Sequence, residues 1–217
     1  MSKLTNNTTT MEQLLAKVKA LPEAGGGGGD GSVDDILDGS VTEIVSQVTS
    51  LIAYALRNRT NLQKASFPNV TTLNGNAFYG CTKLEEIYLP ELTKCSTSMN
   101  FSTCKALKEI SLPKATSIGS QSFYSCTALK KVDLGAASSI SDTVFYGCSS
   151  LVTLILRSET MATLSNTSSL NSTPIKSGTG YIYVPADLVD SYKAATNWST
   201  VAAQFRAIED YPEITGG

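Results

Sequence analysis

The sequence predicts a solenoid of stacked repeats. A parallel β-sheet lines one side, short helical or irregular segments line the other, and about five rungs make up the stack. Three observations predict it. The chain repeats itself at a nearly fixed period, each repeat holds an alternating apolar pattern over a strand's length, and no repeat has enough apolar residues to bury a core alone.

The repeats open at Leu62, Leu84, Leu107, Leu129 and Leu151, which are 22, 23, 22 and 22 residues apart. Each full unit has an opening Leu, a strand of the form L-x-x-I-x-L or a variant of it (LQKASF from Leu62, LKKVDL from Leu129), a Phe, and a Cys three residues after the Phe. The line from Leu151 soon diverges, and a degenerate earlier line runs through Val45, Val48, Leu51 and Leu56. In the unit from Leu84, Ile87 and Leu89 follow period two and face one side of a short strand. Pro90 and Pro113 end their strands, because proline cannot donate to a sheet ladder. A Ser/Thr/Gly-rich stretch then turns the chain, and Ile118 or Ile140 returns to the core. Stacking buries Leu on Leu and Phe on Phe. The expected spines are Phe78, Phe101, Phe123 and Phe145, and Leu62, Leu84, Leu107, Leu129 and Leu151. At about 4.8 Å per strand, five rungs make a slab roughly 25 Å long.

Of the five cysteines, Cys81, Cys104, Cys126 and Cys148 share one slot, and Cys95 aligns with Leu73, Ile118 and Ile140. With no C-x-x-C pair, no histidine and an odd count, metal or disulfide roles are disfavoured. The thiols are read as small apolar fillers of a narrow seam. Arg59 takes the same slot in the first line, which suits an end rung close to solvent.

The unit L-x-x-I-x-L-P…I-x-x-x-x-F-x-x-C-x-x-L resembles the BspA-type (Treponema-type) leucine-rich repeat, over roughly Val41 to Leu156. The stretch from Tyr181 to Lys193, with Asn197-Trp198-Ser199 after it, is similar to the segment that often follows such repeats. The resemblance implies a leucine-rich-repeat solenoid and a binding role. Members are mostly bacterial cell-surface or secreted proteins implicated in adhesion, and others are encoded in phages and prophages. It implies no catalytic residues and no cofactor.

Composition points the same way. The 217 residues include no histidine, which removes the commonest general base and metal ligand. A net charge of −2 with no basic cluster argues against nucleic acid as a partner. There is no apolar run of signal-peptide or membrane-span length, so no membrane insertion is expected.

The ends are read as accessories. Residues 1–24 are expected to form a docking helix, capped at Thr9 or Thr10 with Leu14, Leu15, Val18 and Leu21 on one face. The segment either packs on its own solenoid or frays, or else serves docking to a larger particle or oligomerisation. Residues 25–35 are a Gly-rich linker, 36–164 the repeats, and 165–217 an α/β C-terminal cap and tail. In the cap, Tyr181 to Val184 alternates like a strand and Pro185 suits a helix entrance ahead of Leu188, Val189 and Tyr192. Trp198, Val201 and Phe205 continue the apolar face, with Trp198 read as core, and Ala207-Ile208 is expected as a last strand.

If Ile87 and Leu89 point inward, their neighbours form an outward stripe: Lys64 and Ser66, Glu86 and Tyr88, Glu109 and Ser111, Lys131 and Asp133, Thr153 and Ile155. Lys64, Glu86, Tyr88, Glu109, Ser111, Lys131 and Asp133 are the candidate partner-binding residues. Tyr88 is the focus, since solenoids bind along their sheets and Tyr is favoured at hot spots. The bland reading is a solvated face of offsetting charges. A second row, Tyr79, Tyr124 and Tyr146, either packs under loops or offers an aromatic strip. The first functional reading is a non-enzymatic recognition module of a phage or prophage virion, tail-associated and docked to tail proteins through residues 1–24. The alternative is a bacterial surface or secreted adhesin for a protein or glycan receptor; either allows a homo-oligomer. A third reading, glycan hydrolysis by Glu86 and Glu109 on adjacent rungs, lacks anything to raise one carboxyl's pKa.

Overall fold

The structure, a computed structural model, describes residues 42–215. The expected head helix and glycine linker lie outside the described residues. Among the described residues, fourteen strands numbered along the chain form two sides of a coil. The front strands are β1 (Glu43–Val45), β3 (Lys64–Ser66), β5 (Glu86–Tyr88), β7 (Glu109–Leu112), β9 (Lys131–Leu134) and β11 (Thr153–Leu156). The second side holds β2 (Ser50–Leu51), β4 (Thr72–Leu73), β6 (Lys94–Cys95), β8 (Ser117–Ile118), β10 (Ser139–Ile140) and β12 (Thr163–Leu164), hydrogen-bonded in that order as one sheet. Strands β13 (Tyr181–Val184) and β14 (Phe205–Ala207) extend the front side beyond β11. Every pairing is parallel, as a chain that coils always in the same sense requires. The chain is thus a leucine-rich-repeat solenoid.

The expected spines exist. Phe78, Phe101, Phe123 and Phe145 are fully buried, with neighbouring ring centroids 5.4, 5.2 and 5.7 Å apart and planes within 9°. The five opening leucines are buried beside them. The irregular third side is a backbone ladder rather than a row of helices. The N–H groups of Asn76, Phe78 and Gly80 donate to the carbonyls of Ser98, Asn100 and Ser102 on the next rung. Met99, Phe101 and Thr103 do the same to Ser120, Ser122 and Tyr124. Aiming alternate N–H groups along the stack takes a left-handed residue on either side of each Phe, for example Gln121 (φ 58°) and Ser125 (φ 55°) around Phe123. Each rung therefore meets its buried backbone hydrogen bonds with its neighbours.

The cysteines do more than fill space. The thiols of Cys81, Cys104, Cys126 and Cys148 donate to the carbonyls of Leu56, Phe78, Phe101 and Phe123, each on the preceding rung, at 3.0 to 3.2 Å. A small apolar side chain with one weak donor fits that slot better than alanine or serine. Arg59 corrects the sequence reading: the slot at the first rung is buried, at 8% exposure, rather than near solvent.

The unit of 23 residues has its extra residue between Cys95 and Phe101. Buried Asn100 closes the widened turn by donating to the Thr97 carbonyl at 3.0 Å and the Thr97 hydroxyl at 3.1 Å. The next rung accommodates the bulge with Gly119, where a Cβ would stand 2.3 Å from the Thr97 carbonyl oxygen.

The cap closes the far end chemically as well as sterically. A short α-helix, α1 (Pro174–Ser177), leads to β13, and α2 (Val189–Ala194) to a 3₁₀ segment at Trp198–Gln204. At the edge of the second sheet, Ala162 donates its N–H to the Tyr192 hydroxyl at 2.7 Å, and its carbonyl accepts from the Trp198 indole at 2.7 Å. Asn197 donates to the Leu164 carbonyl at 2.7 Å. Trp198 is therefore core and edge cover at once, since an uncovered strand edge invites other chains. The last strand is Phe205–Ala207, earlier than the Ala207-Ile208 expected, because Phe205 pairs in register with Ile182. A final helix, α3 (Pro212–Thr215), folds back onto the front side.

Candidate recognition surface

Strand register arranges the outward front residues in two rows. One runs Glu43, Lys64, Glu86 and, past a break, Glu109, Lys131, Thr153, Tyr181. The other runs Val45, Ser66, Tyr88 and, past the same break, Ser111, Asp133, Ile155, Tyr183. The break is real: β1, β3 and β5 form a three-stranded sheet, and β7, β9, β11, β13 and β14 a five-stranded one. Ile87, at the break, is only half-buried, whereas its equivalents Ile110 and Val132 are buried. The strands carrying Glu86 and Glu109 do not pair, so the two carboxylates of the hydrolase reading are not held one ladder step apart.

Two sequence expectations fail here. Ile155, expected outward, does point to the front but is fully buried, because Tyr183, Ile208 and Ile214 pack over it. Val45, assigned to the apolar line of the first rung, is 50% exposed, and Ile44 takes the inward place. Strict 22-residue spacing would set Thr42 opposite Lys64, but the actual partner is Glu43. That one-residue slip turns the strand over, and it brings Glu43 and Val45 into the rows, where sequence reasoning missed them.

The charges are mostly paired between rungs. Lys64 donates to both Glu86 oxygens at 2.8 and 2.9 Å, Lys108 to Glu85 at 2.7 Å, and Lys114 to Glu91 at 2.7 Å. The hydrogen bond to Glu86, then the charges of Glu86, Glu43 and Glu85, raise the Lys64 ammonium above its ordinary pKa. Glu85 is lowered, first by its hydrogen bond from Lys108 and then by that charge. These pairs are open to water and contribute little to stability. Asp133 differs. Its side chain is 14% exposed and accepts two hydrogen bonds from the Arg157 guanidinium Nε and one from its Nη2, at 2.8 to 3.0 Å. The same Nη2 reaches the Ile214 carbonyl at 2.6 Å. Of the candidate residues, Asp133 is thus enclosed, while Lys64, Glu86, Tyr88, Glu109 and Ser111 are exposed and Lys131 half-buried.

Over β1, β3 and β5 lies an open depression of about 270 Å³, lined by Glu43, Ile44, Lys64, Ala65, Ser66, Glu86, Ile87 and Tyr88. The two outward rows form its walls and the middle residue of each strand its floor. The second aromatic row is half-buried and packed along the stack. Tyr124 and Tyr146 stack face to face at 5.3 Å, and Arg57 sits 5.4 Å from the ring centres of both Tyr54 and Tyr79. Burial raises the thiols of Cys104 and Cys126 well above their ordinary pKa, which keeps them protonated. Among the described residues, no group of three or more Cys, Asp or Glu is placed to hold a metal ion, and no helix is long and apolar enough to cross a membrane.

A family model described as "BspA type Leucine rich repeat region" matches residues 40–152 in six copies. Among solved structures, the chain is similar to a leucine-rich repeat protein of T. pallidum, at 27% identity and TM-score 0.41 over 52% of this chain and 68% of that one. It is similar also to a leucine-rich cell surface protein of Faecalibacterium prausnitzii, at 22% identity and TM-score 0.48 over 55% of this chain and 40% of that one. A leucine-rich repeat protein of Bacteroides ovatus matches at 22% identity and TM-score 0.40, over 64% of this chain and 47% of that one. The chain thus spans less than half the length of the latter two proteins. No curated protein matches it. With six copies of the repeat covering just over half of its residues, the chain belongs to the BspA-type leucine-rich repeat family.

Proposed function

We propose that this protein is a non-enzymatic recognition module of the adhesin type, which binds a protein or glycan receptor through its front sheet at a bacterial cell surface or after secretion. One observation carries the reading: the front face combines a depression with two half-exposed apolar side chains, Val45 and Tyr88, beside the Lys64–Glu86 ion pair and the Glu43 carboxylate. Exposed aromatic residues amid a polar rim are the usual anatomy of a contact site. The cell-surface description of the F. prausnitzii protein supports the setting by analogy alone. The virion setting rests on residues 1–24, which lie outside the described residues, and no observation of the fold favours it.

The full chain, fluorescently labelled, is applied to arrays of extracellular proteins and of glycans. The expected result is saturable binding that Ser66→Arg or Ser111→Arg abolishes and that Ser117→Arg, on the second sheet, leaves unchanged. Binding indifferent to the front substitutions overturns the proposal, as does an array with no saturable spot or one whose ligand is turned over.

A further inference from the structure

The two parts of the front face differ in what covers them, and the covered part shows what kind of occupant such a surface takes. Over β9, β11 and β13, the outward row Asp133, Ile155, Tyr183 lies under the chain's own segment 208–215. Ile208 and Ile214 pack on Ile155 and Tyr183, and Tyr211 meets Tyr183 edge to face at 5.1 Å. Beside them a guanidinium–carboxylate pair, Arg157 with Asp133, is tied to the segment through the Ile214 carbonyl. A short stretch of polypeptide is therefore held by apolar and aromatic contact together with one such ion pair.

The equivalent row over β1, β3 and β5 has the same ingredients but, among the described residues, lacks the cover. Val45 is 50% exposed and Tyr88 58%, and nothing among the described residues lies over them. In the row beside them, Lys64 stands in register between two carboxylates, Glu43 and Glu86. It is bound to both oxygens of Glu86, and Glu43 has no ion pair among the described residues. Among the described residues, the site is one cation short. A depression of about 270 Å³ has room for one or two side chains.

We infer that the open part of the front face docks a short protein segment that presents an arginine beside an apolar side chain. The arginine forks onto Glu86 with its plane against the Tyr88 ring, Lys64 passes to Glu43, and the apolar side chain covers Val45. This inference rests on the recognition reading above and narrows the partner to protein.

The test uses the isotope-labelled full chain, titrated with a capped heptapeptide with arginine–leucine–tyrosine at its centre, and with the same peptide carrying glutamate for arginine. Amide shifts confined to residues 43–45, 64–66 and 86–88 are expected with the first peptide. At least tenfold weaker binding is expected with the second, and with the first against Glu86→Gln or Tyr88→Ala, while Tyr88→Phe keeps its affinity. Equal binding of the two peptides overturns the inference, as do shifts on another face or none at millimolar peptide. It is also overturned if a chitin tetrasaccharide shifts these amides while the peptides do not, or if the shifts track protein concentration alone, which marks a second copy. Should Ser66→Arg abolish array binding while the peptides stay silent, the recognition function stands and this inference falls.

Discussion

The three-stranded sheet of β1, β3 and β5 and the repeat strands β7, β9 and β11 of the five-stranded sheet are built from the same repeat, yet they present opposite surfaces. In the first, the second outward position holds Val45, Ser66 and Tyr88, open to water. In the second, it holds Ser111, Asp133, Ile155 and Tyr183, and from Asp133 onward the tail closes it. Inside, the two are continuous: one Phe column, one Cys column and one Leu column run through both. The repeat thus dictates the interior, while the outward positions are free to diverge, and the C-terminal cap and tail decide which part of the face remains open. The part of the face with Ile155 buried and Asp133 paired is covered by the tail, whereas Tyr88 is left 58% exposed among the described residues.

The largest expected effect tests the shared interior. Phe123→Ala removes the ring between Phe101 and Phe145, and should cost about 3–5 kcal/mol. A single cooperative denaturation transition at a much lower midpoint would show that both sheets depend on one column, whereas two separate transitions would split them. Next is the closed part. Arg157→Ala removes hydrogen bonds to a mostly buried carboxylate and to the tail, with an expected loss of about 1.5–3 kcal/mol. Limited proteolysis should then cut residues 208–215 first, and an uncut tail would show that its apolar contacts suffice. The glycines should separate the parts as well. A Cβ at Gly119 meets backbone atoms at 2.3 to 2.6 Å, so Gly119→Ala should cost about 1–3 kcal/mol. A Cβ at Gly75 meets only the Ser98 carbonyl oxygen, at 3.7 Å, so Gly75→Ala should be neutral or stabilising by about 0.4–1 kcal/mol.

At Cys95 the effect depends on pH. Burial pushes its thiol from 9.0 up to about 12. Between those values the unfolded chain has lost a proton that the folded chain keeps. The contribution is therefore whole below pH 9 and is lost as pH rises toward 12, by at most about 1.4 kcal/mol per pH unit. Cys95→Val should flatten the decline of the urea midpoint over that window and change little at pH 7; an unchanged slope would mean that the thiol is reached by water. The smallest effect falls on the open part. Tyr88→Ala should alter stability by no more than about 0.5 kcal/mol, because the ring contributes little to the fold it stands on. A loss of several kcal/mol in urea denaturation would show Tyr88 to be structural and the openness of this sheet only apparent.

Much of this was legible in the sequence, for a physical reason. A repeat that cannot bury its own apolar side must stack, so period and alternation together gave the solenoid, the Phe and Leu columns, the buried seam of cysteines, and Lys64, Glu86 and Tyr88 as neighbours on one face. Less legible were features that depend on a single residue's offset or on a distant segment. Val45 was misplaced and Glu43 missed because the first rung is one residue shorter in register than the period implies. The hydrogen bonds from the cysteines to the Phe carbonyls were hidden too, since they depend on how neighbouring rungs are offset.

The sequence by itself determined the coil and its interior, because period-two alternation and a 22-residue repeat act locally and recur in every rung. Only the tertiary structure decided which part of the front face is exposed. Whether Ile155 and Asp133 face water depends on Ile208, Tyr211 and Ile214, more than fifty residues away along the chain, which find their place only once β13 and β14 have extended the sheet beneath them.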